Sequence, residues 1–161
     1  SKCVFMQKEL EYLGHIISHD GVKVDQRKIE SMIEWSLPHN VSTLRGFLGL
    51  TGYYRRVVKN YGIIAKPLTN MLKKNNFEWT TAALHAFDEL KRAMTTTPVL
   101  ALPNFSKELF VYTDASQEGI GAVLMQDGRP LAYVSKALGL MKKAWSTYAR
   151  EMLAVIHAVK V

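Results

Sequence analysis

The segment from residue 109 to residue 135 constrains the fold more than any other part of this sequence. It contains three successive runs that are rich in β-forming residues: Leu109–Thr113, Ile120–Met125 and Leu131–Ser135. The turn between the second and third runs contains Asp127-Gly128, a pair that favours a tight two-residue hairpin. We therefore predict a three-stranded antiparallel meander.

Asp114 follows the first of these predicted strands directly. The alternation of side chains along a strand places Phe110, Tyr112 and Asp114 on one face. A carboxylate at a strand end either faces water as a turn residue or binds a metal ion, and the strand pattern alone is compatible with both.

A helix is predicted after the meander, with Ser146 or Thr147 as its N-cap and residues 148–159 in its body. At about 100° per residue, its basic residues share one side. Its apolar residues share the other side: Tyr148, Met152, Val155, Ile156 and Val159. Glu151 lies at the margin of the apolar side, where an unpaired carboxylate is costly. It either reaches water or shares a metal ion with Asp114.

Thr113-Asp114-Ala115-Ser116, the run from Gly119 to Leu124, and the helix that contains Glu151 resemble the ribonuclease H domain of gypsy-type retroelement reverse transcriptases. The resemblance implies that Asp114 and Glu151 are the first two of four carboxylates that bind two Mg²⁺ ions. It also implies that the other two carboxylates lie beyond Val161. Clustered carboxylates suit this role, because two hard cations roughly 3.5–4 Å apart need oxygen ligands and charge balance.

The first 24 residues predict a small antiparallel unit. The pattern indicates strands at residues 4–6 and 10–18, then a turn at His19-Asp20-Gly21 into a last strand at 22–24. The run Tyr12-Leu13-Gly14-His15 resembles the hairpin that ends the palm of the same reverse transcriptases. The resemblance implies that Tyr12, Gly14 and His15 hold the end of the primer strand. On the residues alone, His15 is interpreted as an ordinary hydrogen-bonded histidine.

Three helices are predicted between residues 25 and 97. Asp25 caps the first, which extends through Trp35, Ser42 starts the second, and Thr80 or Thr81 caps the third. The third helix has a buried stripe at helical spacing: Ala83, Phe87, Leu90 and Met94. An extended linker over residues 99–105 leads into the meander.

The second helix carries three glycines on one side: Gly46, Gly49 and Gly52. Each glycine costs about 1 kcal/mol relative to alanine in a helix interior. This indicates that another surface approaches closely, either a neighbouring helix or the minor groove of a duplex.

The run from Leu44 to Leu50, followed by Tyr53-Tyr54-Arg55-Arg56, resembles the thumb of these reverse transcriptases. The matches at residues 64–69 and 77–79 extend the resemblance. It implies a contact with the sugar-phosphate backbone of an RNA–DNA hybrid or DNA duplex. The expected contact residues are Gly49, Tyr53, Tyr54, Arg55, Arg56 and Lys59.

Charge and composition are compatible with a nucleic-acid partner. The formal net charge is +7, and residues 25–100 contain eleven Lys and Arg against six Asp and Glu. Such a segment indicates either a polyanionic partner or a basic surface without one. The single cysteine, Cys3, excludes a disulfide framework and fits a reducing compartment. We identify no signal peptide and no membrane-length apolar run.

We predict an α+β chain in three parts. Residues 1–24 form the end of the palm with its small antiparallel hairpin, residues 25–100 a helical thumb, and residues 101–161 the N-terminal half of a ribonuclease H-like domain. No Y-x-D-D sequence occurs, so the polymerase aspartates are absent from these residues. We interpret the chain as a piece of a retroelement reverse transcriptase polyprotein. Its expected partners are nucleic acid and the remainder of that polyprotein, without a membrane, in a cytoplasmic particle or the nucleus.

Two other interpretations stay open. The chain is alternatively a non-catalytic nucleic-acid-binding module, or a protein-interaction domain that keeps only remnants of the fold. Duplex binding with a steep salt dependence would separate the first of these from the second.

Overall fold

A computed structural model describes residues 6–161 of the chain. The strand predicted at residues 4–6 begins outside the described residues. Residues 6–161 contain the strands β1 Glu9–Tyr12, β2 His15–Ser18, β3 Gly21–Val24, β4 Phe110–Ala115, β5 Gly119–Gln126 and β6 Arg129–Ala137. They also contain the helices α1 Gln26–Ile33, α2 Val41–Tyr53, α3 Tyr61–Ile64, α4 Lys66–Met71, α5 Thr81–Thr95, α6 Leu140–Lys143 and α7 Thr147–Lys160.

The first sheet has the antiparallel order β1-β2-β3. Its first turn is Leu13-Gly14, with φ angles of 49° and 76°, and it pairs Tyr12 with His15. Two successive positive φ values produce the tight hairpin turn that matches the twist of antiparallel strands. The prediction of one strand over residues 10–18 is therefore wrong, and the hairpin implied by the family resemblance is confirmed.

The helix starts follow local capping interactions. The Asp25 side chain accepts a hydrogen bond from the Arg27 backbone N–H at 3.0 Å, and Thr80 accepts one from Ala83 at 3.2 Å, as predicted. Helix α2 begins earlier than predicted, because Asn40 forms a capping box with Thr43. An asparagine in this position satisfies an otherwise unpaired N–H group of the first turn.

Helices α1 to α5 enclose the larger hydrophobic core. The predicted stripe of α5 is buried in it, and Phe87 packs against Phe47 with their ring centroids 4.6 Å apart. Trp79 closes one end of this core, because its Nε1 donates a hydrogen bond of 2.8 Å to the Pro38 carbonyl. Burial of each large apolar side chain here contributes about 1.5–3 kcal/mol.

The second sheet has the antiparallel order β4-β5-β6. Asp127 and Gly128 form the turn between β5 and β6 with φ angles of 50° and 75°, which confirms the predicted hairpin. The first strand of the meander, β4, does not run through the middle of this sheet. Two consecutive hairpin turns make each strand the neighbour of the next, so β5 is central and β4 is an edge strand among the described residues.

Helix α7 has Ser146 as its N-cap, and the predicted helix is confirmed. Its large apolar side does not pack on the sheet. Ala154 is buried with Ile120 and Leu138, whereas Met152 is 45% exposed and Val159 is 78% exposed. The helix therefore turns its small residues toward the sheet, and its large apolar residues face outward.

The helical part and the second sheet contact each other at α3 and β6. The Gly62 N–H donates a hydrogen bond of 2.8 Å to Ser135 Oγ, and the Tyr133 N–H donates one of 2.9 Å to the Arg56 carbonyl. A Cβ atom at Gly62 would lie 2.5 Å from the Ser135 carbonyl oxygen, so only glycine permits this approach. Within residues 6–161, no helix has both the length and the apolar character needed to cross a membrane.

Candidate nucleic-acid interface

A shallow groove lies at the C-terminal end of α2. It has a volume of about 480 Å³ and is lined by Leu48, Gly49, Gly52, Tyr53, Arg55 and Arg56. The side chain of Tyr53 is 54% exposed, and both arginines are exposed. None of the described residues that line this groove is acidic. The groove therefore combines an aromatic ring and two guanidinium groups beside a stretch of bare backbone.

The three glycines of α2 have different neighbours. A Cβ atom at Gly46 would lie 3.3 Å from the Trp35 ring, and one at Gly52 would lie 3.2 Å from Tyr61 Oη. A Cβ atom at Gly49 would have no neighbour within 4 Å. Contacts within the chain thus account for Gly46 and Gly52, whereas Gly49 opens into the groove.

Two tyrosines attach the β1–β2 hairpin to the end of α2. Tyr53 Oη donates a hydrogen bond of 2.9 Å to the Leu13 carbonyl, and Tyr54 Oη donates one of 3.1 Å to the Gly14 carbonyl. A Cβ atom at Gly14 would lie 2.5 Å from Tyr54 Oη. The hairpin turn and the helix end therefore form one unit.

His15 packs against both of these tyrosines. Its ring centroid is 5.6 Å from that of Tyr53 and 5.2 Å from that of Tyr54. Among the described residues, its buried Nδ1 has no hydrogen-bond partner, so the ordinary hydrogen-bonded histidine that we expected is not found. Burial lowers the pKa of His15, and burial is also the main cause that raises the pKa of Tyr54.

The other predicted contact residues differ in their exposure to solvent. Tyr12 is 58% exposed, whereas Tyr54 is only 2% exposed, so Tyr54 presents almost no surface and acts as a support for the hairpin. Arg55, Arg56 and Lys59 are exposed. None of these three forms an ion pair with any residue from 6 to 161.

Asp114 lies near Lys59, at the contact between the helical part and the second sheet. Both residues line a cavity of about 360 Å³, together with Tyr112. Asp114 pairs with Gly121 across the sheet, and a Cβ atom at Gly121 would lie 3.3 Å from Asn60 Oδ1. The face of β4 that carries Asp114 is therefore the face that meets the helical part.

Glu151 is exposed on α7, which packs on the opposite face of the sheet through Ala154. The neighbouring Ala115 packs on this α7 side, which agrees with the alternation of side chains along β4. Asp114 therefore lies on the face of the sheet that meets the helical part, whereas Glu151 belongs to the helix on the other face. Their oxygen donors and exposure suit Mg²⁺, but within residues 6–161 no group of three or more metal-binding side chains is found.

Some residues of this region were not singled out by the sequence analysis. Asn60 adopts a left-handed conformation with φ of 60° and starts α3. Tyr61 Oη lies 3.0 Å from Thr51 Oγ1, and burial raises the pKa of Tyr61. The sequence signal was weak, since asparagine is common in loops and turns.

A comparison with protein families gives one match over about half of the chain. Residues 79–161 match the model of the RNase H-like domain found in reverse transcriptase. This segment includes β4, β5, β6 and α7, and thus both candidate carboxylates.

Curated relatives come from retroelements and from a plant organelle. Over 161 residues, the chain is 40% identical to the retrovirus-related Pol polyprotein from transposon 297 of Drosophila melanogaster, and the match covers 99% of the chain. The match to the Pol polyprotein from transposon gypsy is 37% identical over 98% of the chain. An uncharacterized mitochondrial protein of Arabidopsis thaliana is 59% identical over 64% of the chain and 66% of its own length. The chain spans only 15% and 16% of the two Pol polyproteins.

Solved structures of a foamy viral protease-reverse transcriptase share the fold. A complex with double-stranded DNA superposes with a TM-score of 0.88 at 21% identity, over 96% of this chain and 28% of that one. A complex with RNA/DNA hybrid gives a TM-score of 0.86 at 22% identity, over 95% of this chain and 22% of that one. The family match over residues 79–161, about half of the chain, shows that the chain belongs to the family of RNase H-like domains found in reverse transcriptase.

Proposed function

We propose that this chain binds the sugar-phosphate backbone of an RNA–DNA hybrid or DNA duplex, as part of a retroelement reverse transcriptase polyprotein. The open groove beside Gly49 carries this proposal, because its described lining has two unpaired arginines, an exposed tyrosine and no acidic residue. Groups of this kind contact phosphates and sugars without reading base sequence.

The foamy viral relatives with the same fold were solved with double-stranded DNA and with RNA/DNA hybrid, which supports a duplex as the partner. The attachment of the hairpin to α2 supports a shared role for both. The Leu13 and Gly14 carbonyls are bonded to Tyr53 and Tyr54, so the hairpin that carries the exposed Tyr12 is joined to the groove. We propose that Tyr12 and the hairpin turn contact the same duplex as Arg55, Arg56 and Lys59.

For the full-length protein we propose RNA-directed DNA synthesis and hydrolysis of the RNA strand of the hybrid. Asp114 and Glu151 would supply two of the carboxylates that hold Mg²⁺ at the edge of β4. Bound magnesium ions activate a water molecule and neutralise charge on the phosphate. Lys59, which lines the cavity beside Asp114, would hold a neighbouring phosphate of the strand. We place this activity in a cytoplasmic particle or the nucleus.

The duplex-binding proposal is tested by a titration with salt. We expect the combined variant Arg55→Gln, Arg56→Gln, Lys59→Gln to bind hybrid more weakly, because about one counterion is released per phosphate neutralised. The slope of log K against log salt concentration should decrease by about two to three. Lys107→Gln is the matched control, since Lys107 is exposed and pairs with Asp127 at the far hairpin. An unchanged slope in the combined variant contradicts the proposal.

A further inference from the structure

A second basic surface lies between the helical part and the second sheet. It lines a cleft of about 1140 Å³, which we call the lysine cleft. Its lysines come from two separate parts of the chain: Lys66, Lys73, Lys74, Lys136, Lys142 and Lys143. They are distributed over more than 70 positions of the sequence, so no local motif indicates them.

Three of these lysines are bound by the protein itself. Lys66 Nζ donates a hydrogen bond of 2.6 Å to the Leu138 carbonyl, and Lys143 forms an ion pair with Glu118. Lys142 Nζ lies 5.6 Å from the centroid of the Trp145 ring. These contacts fix the walls of the cleft.

The other three lysines have no such partner. Lys73, Lys74 and Lys136 are exposed, and within residues 6–161 their side chains form no hydrogen bond or ion pair. Glu118 is the one acidic residue among the described lining residues. Because like charges raise each other's energy, so many ammonium groups on one surface favour an anion between them.

The pKa of His157 is affected by the positive charge of the lysine cleft. His157 lines the cleft, and its pKa is lowered first by burial and then by Lys136 and Lys142. The direction agrees with a site where a further positive charge is unfavourable.

The lysine cleft adjoins the arginines of the proposed duplex site. A smaller cavity of about 250 Å³ is lined by Arg55, Arg56, Lys136 and His157, and the last two residues also line the lysine cleft. Basic side chains therefore continue from the end of α2 across β6 to the end of α4.

We propose that the lysine cleft is a second phosphate-binding surface, which holds the backbone of a nucleic-acid strand that extends beyond the groove of α2. This inference rests on the proposed function, because it assigns a further segment of the same ligand. Lysines act as point charges for phosphate and do not read bases, so the contact has no sequence preference. A small ligand fits less well, since the cleft exceeds the usual volume of about 300–1,000 Å³.

The test compares the combined variant Lys73→Gln, Lys74→Gln, Lys136→Gln with the wild-type chain on a 20-base-pair RNA–DNA hybrid. We expect roughly 10- to 100-fold weaker binding at 0.15 M salt and a slope that decreases by about two to three. All three side chains are exposed, so the fold should be kept, and an unchanged thermal unfolding curve verifies this. Lys107→Gln again serves as the control for charge.

The outcomes separate the two proposals. If the wild-type chain binds no hybrid, the proposed function fails. If the wild-type chain binds and the cleft variant keeps the full salt slope, the lysine cleft proposal fails alone. Inorganic tripolyphosphate tests the remaining source of phosphate. Tripolyphosphate and a single strand are compared, at equal phosphate concentration, as competitors of hybrid binding. If tripolyphosphate competes as well as the strand, the assignment to a nucleic-acid strand is overturned. Weaker competition by tripolyphosphate supports the assignment.

Discussion

The hydroxyl group of Tyr54 donates a hydrogen bond of 3.1 Å to the Gly14 carbonyl and thereby joins α2 to the first hairpin. The same hydroxyl lies 2.5 Å from the position where a Cβ of residue 14 would stand. Forty residues of sequence separate the two partners. The position of the hairpin therefore depends on a close approach that only glycine allows.

Replacement of Gly14 tests this close approach. We expect Gly14→Ala to lower the free energy of unfolding by more than about 2 kcal/mol, because it adds a collision with Tyr54 to the strain of φ +76°. Gly128→Ala is the matched control, since Gly128 has φ of +75° and nothing within 4 Å of its Cβ position. That control should cost only about 1–2 kcal/mol. Equal losses in urea denaturation would contradict the role of Tyr54.

Replacement of Gly49 by alanine should raise the free energy of unfolding and lower the affinity for a hybrid. Gly49→Ala removes a helix-interior glycine where a Cβ meets nothing within 4 Å, so we expect a gain of about 0.5–1 kcal/mol. Hybrid affinity, measured by fluorescence anisotropy, should nevertheless fall several-fold as the methyl group enters the groove. The comparison variant is Gly46→Ala, whose Cβ would lie 3.3 Å from Trp35 and outside the groove. Unchanged affinity in Gly49→Ala would remove Gly49 from the interface.

Acid should weaken the fold through its two partly buried histidines. Burial lowers the pKa of His15 and of His157, so the unfolded chain binds protons at these positions at a higher pH than the folded chain does. Stability is therefore complete above about pH 6.5, the ordinary histidine value, and decreases as the pH falls from there toward the lowered values. We expect His15→Phe to make unfolding curves less pH-dependent between pH 7 and pH 5. A steeper dependence in this variant would contradict the assignment.

Residues 1–161 alone should not cleave an RNA–DNA hybrid efficiently. Two-metal hydrolysis needs both ions held, and Asp114 and Glu151 provide too few ligands. The measurement is cleavage of a labelled hybrid with and without Mg²⁺. Robust magnesium-dependent cleavage that is lost in Asp114→Asn would show that these residues suffice for catalysis.

The sequence predicted local structure well where one residue determines it. Asp127-Gly128 specifies its hairpin through two positive φ values, and Asp25, Thr80 and Ser146 cap their helices. The prediction failed at Leu13-Gly14, because leucine rarely adopts φ of 49° and the flanking residues continue a β pattern.

The orientation of α7 could not be read from its pattern. Its apolar side suggested burial, yet Val155 is 45% exposed while Ala154 is buried against Ile120. Periodicity identifies an apolar side but not the surface that covers it. The sequence could not predict that Lys59 and Asp114 line one cavity either, because these two residues come from separate parts of the chain.

The most direct test of the proposed interface removes charges from the protein and from the phosphates of the ligand, separately and together. The measurement is the affinity of the wild-type chain and of Arg55→Gln, Arg56→Gln for a 20-base-pair DNA duplex and for one with three central phosphates replaced by neutral methylphosphonates. We expect the neutral linkages to weaken wild-type binding about 10-fold or more and to weaken binding of the variant by a smaller factor, because both changes remove the ion contacts of the two arginines. Equal losses in both proteins would show that these arginines do not contact the phosphate backbone, and would contradict the account.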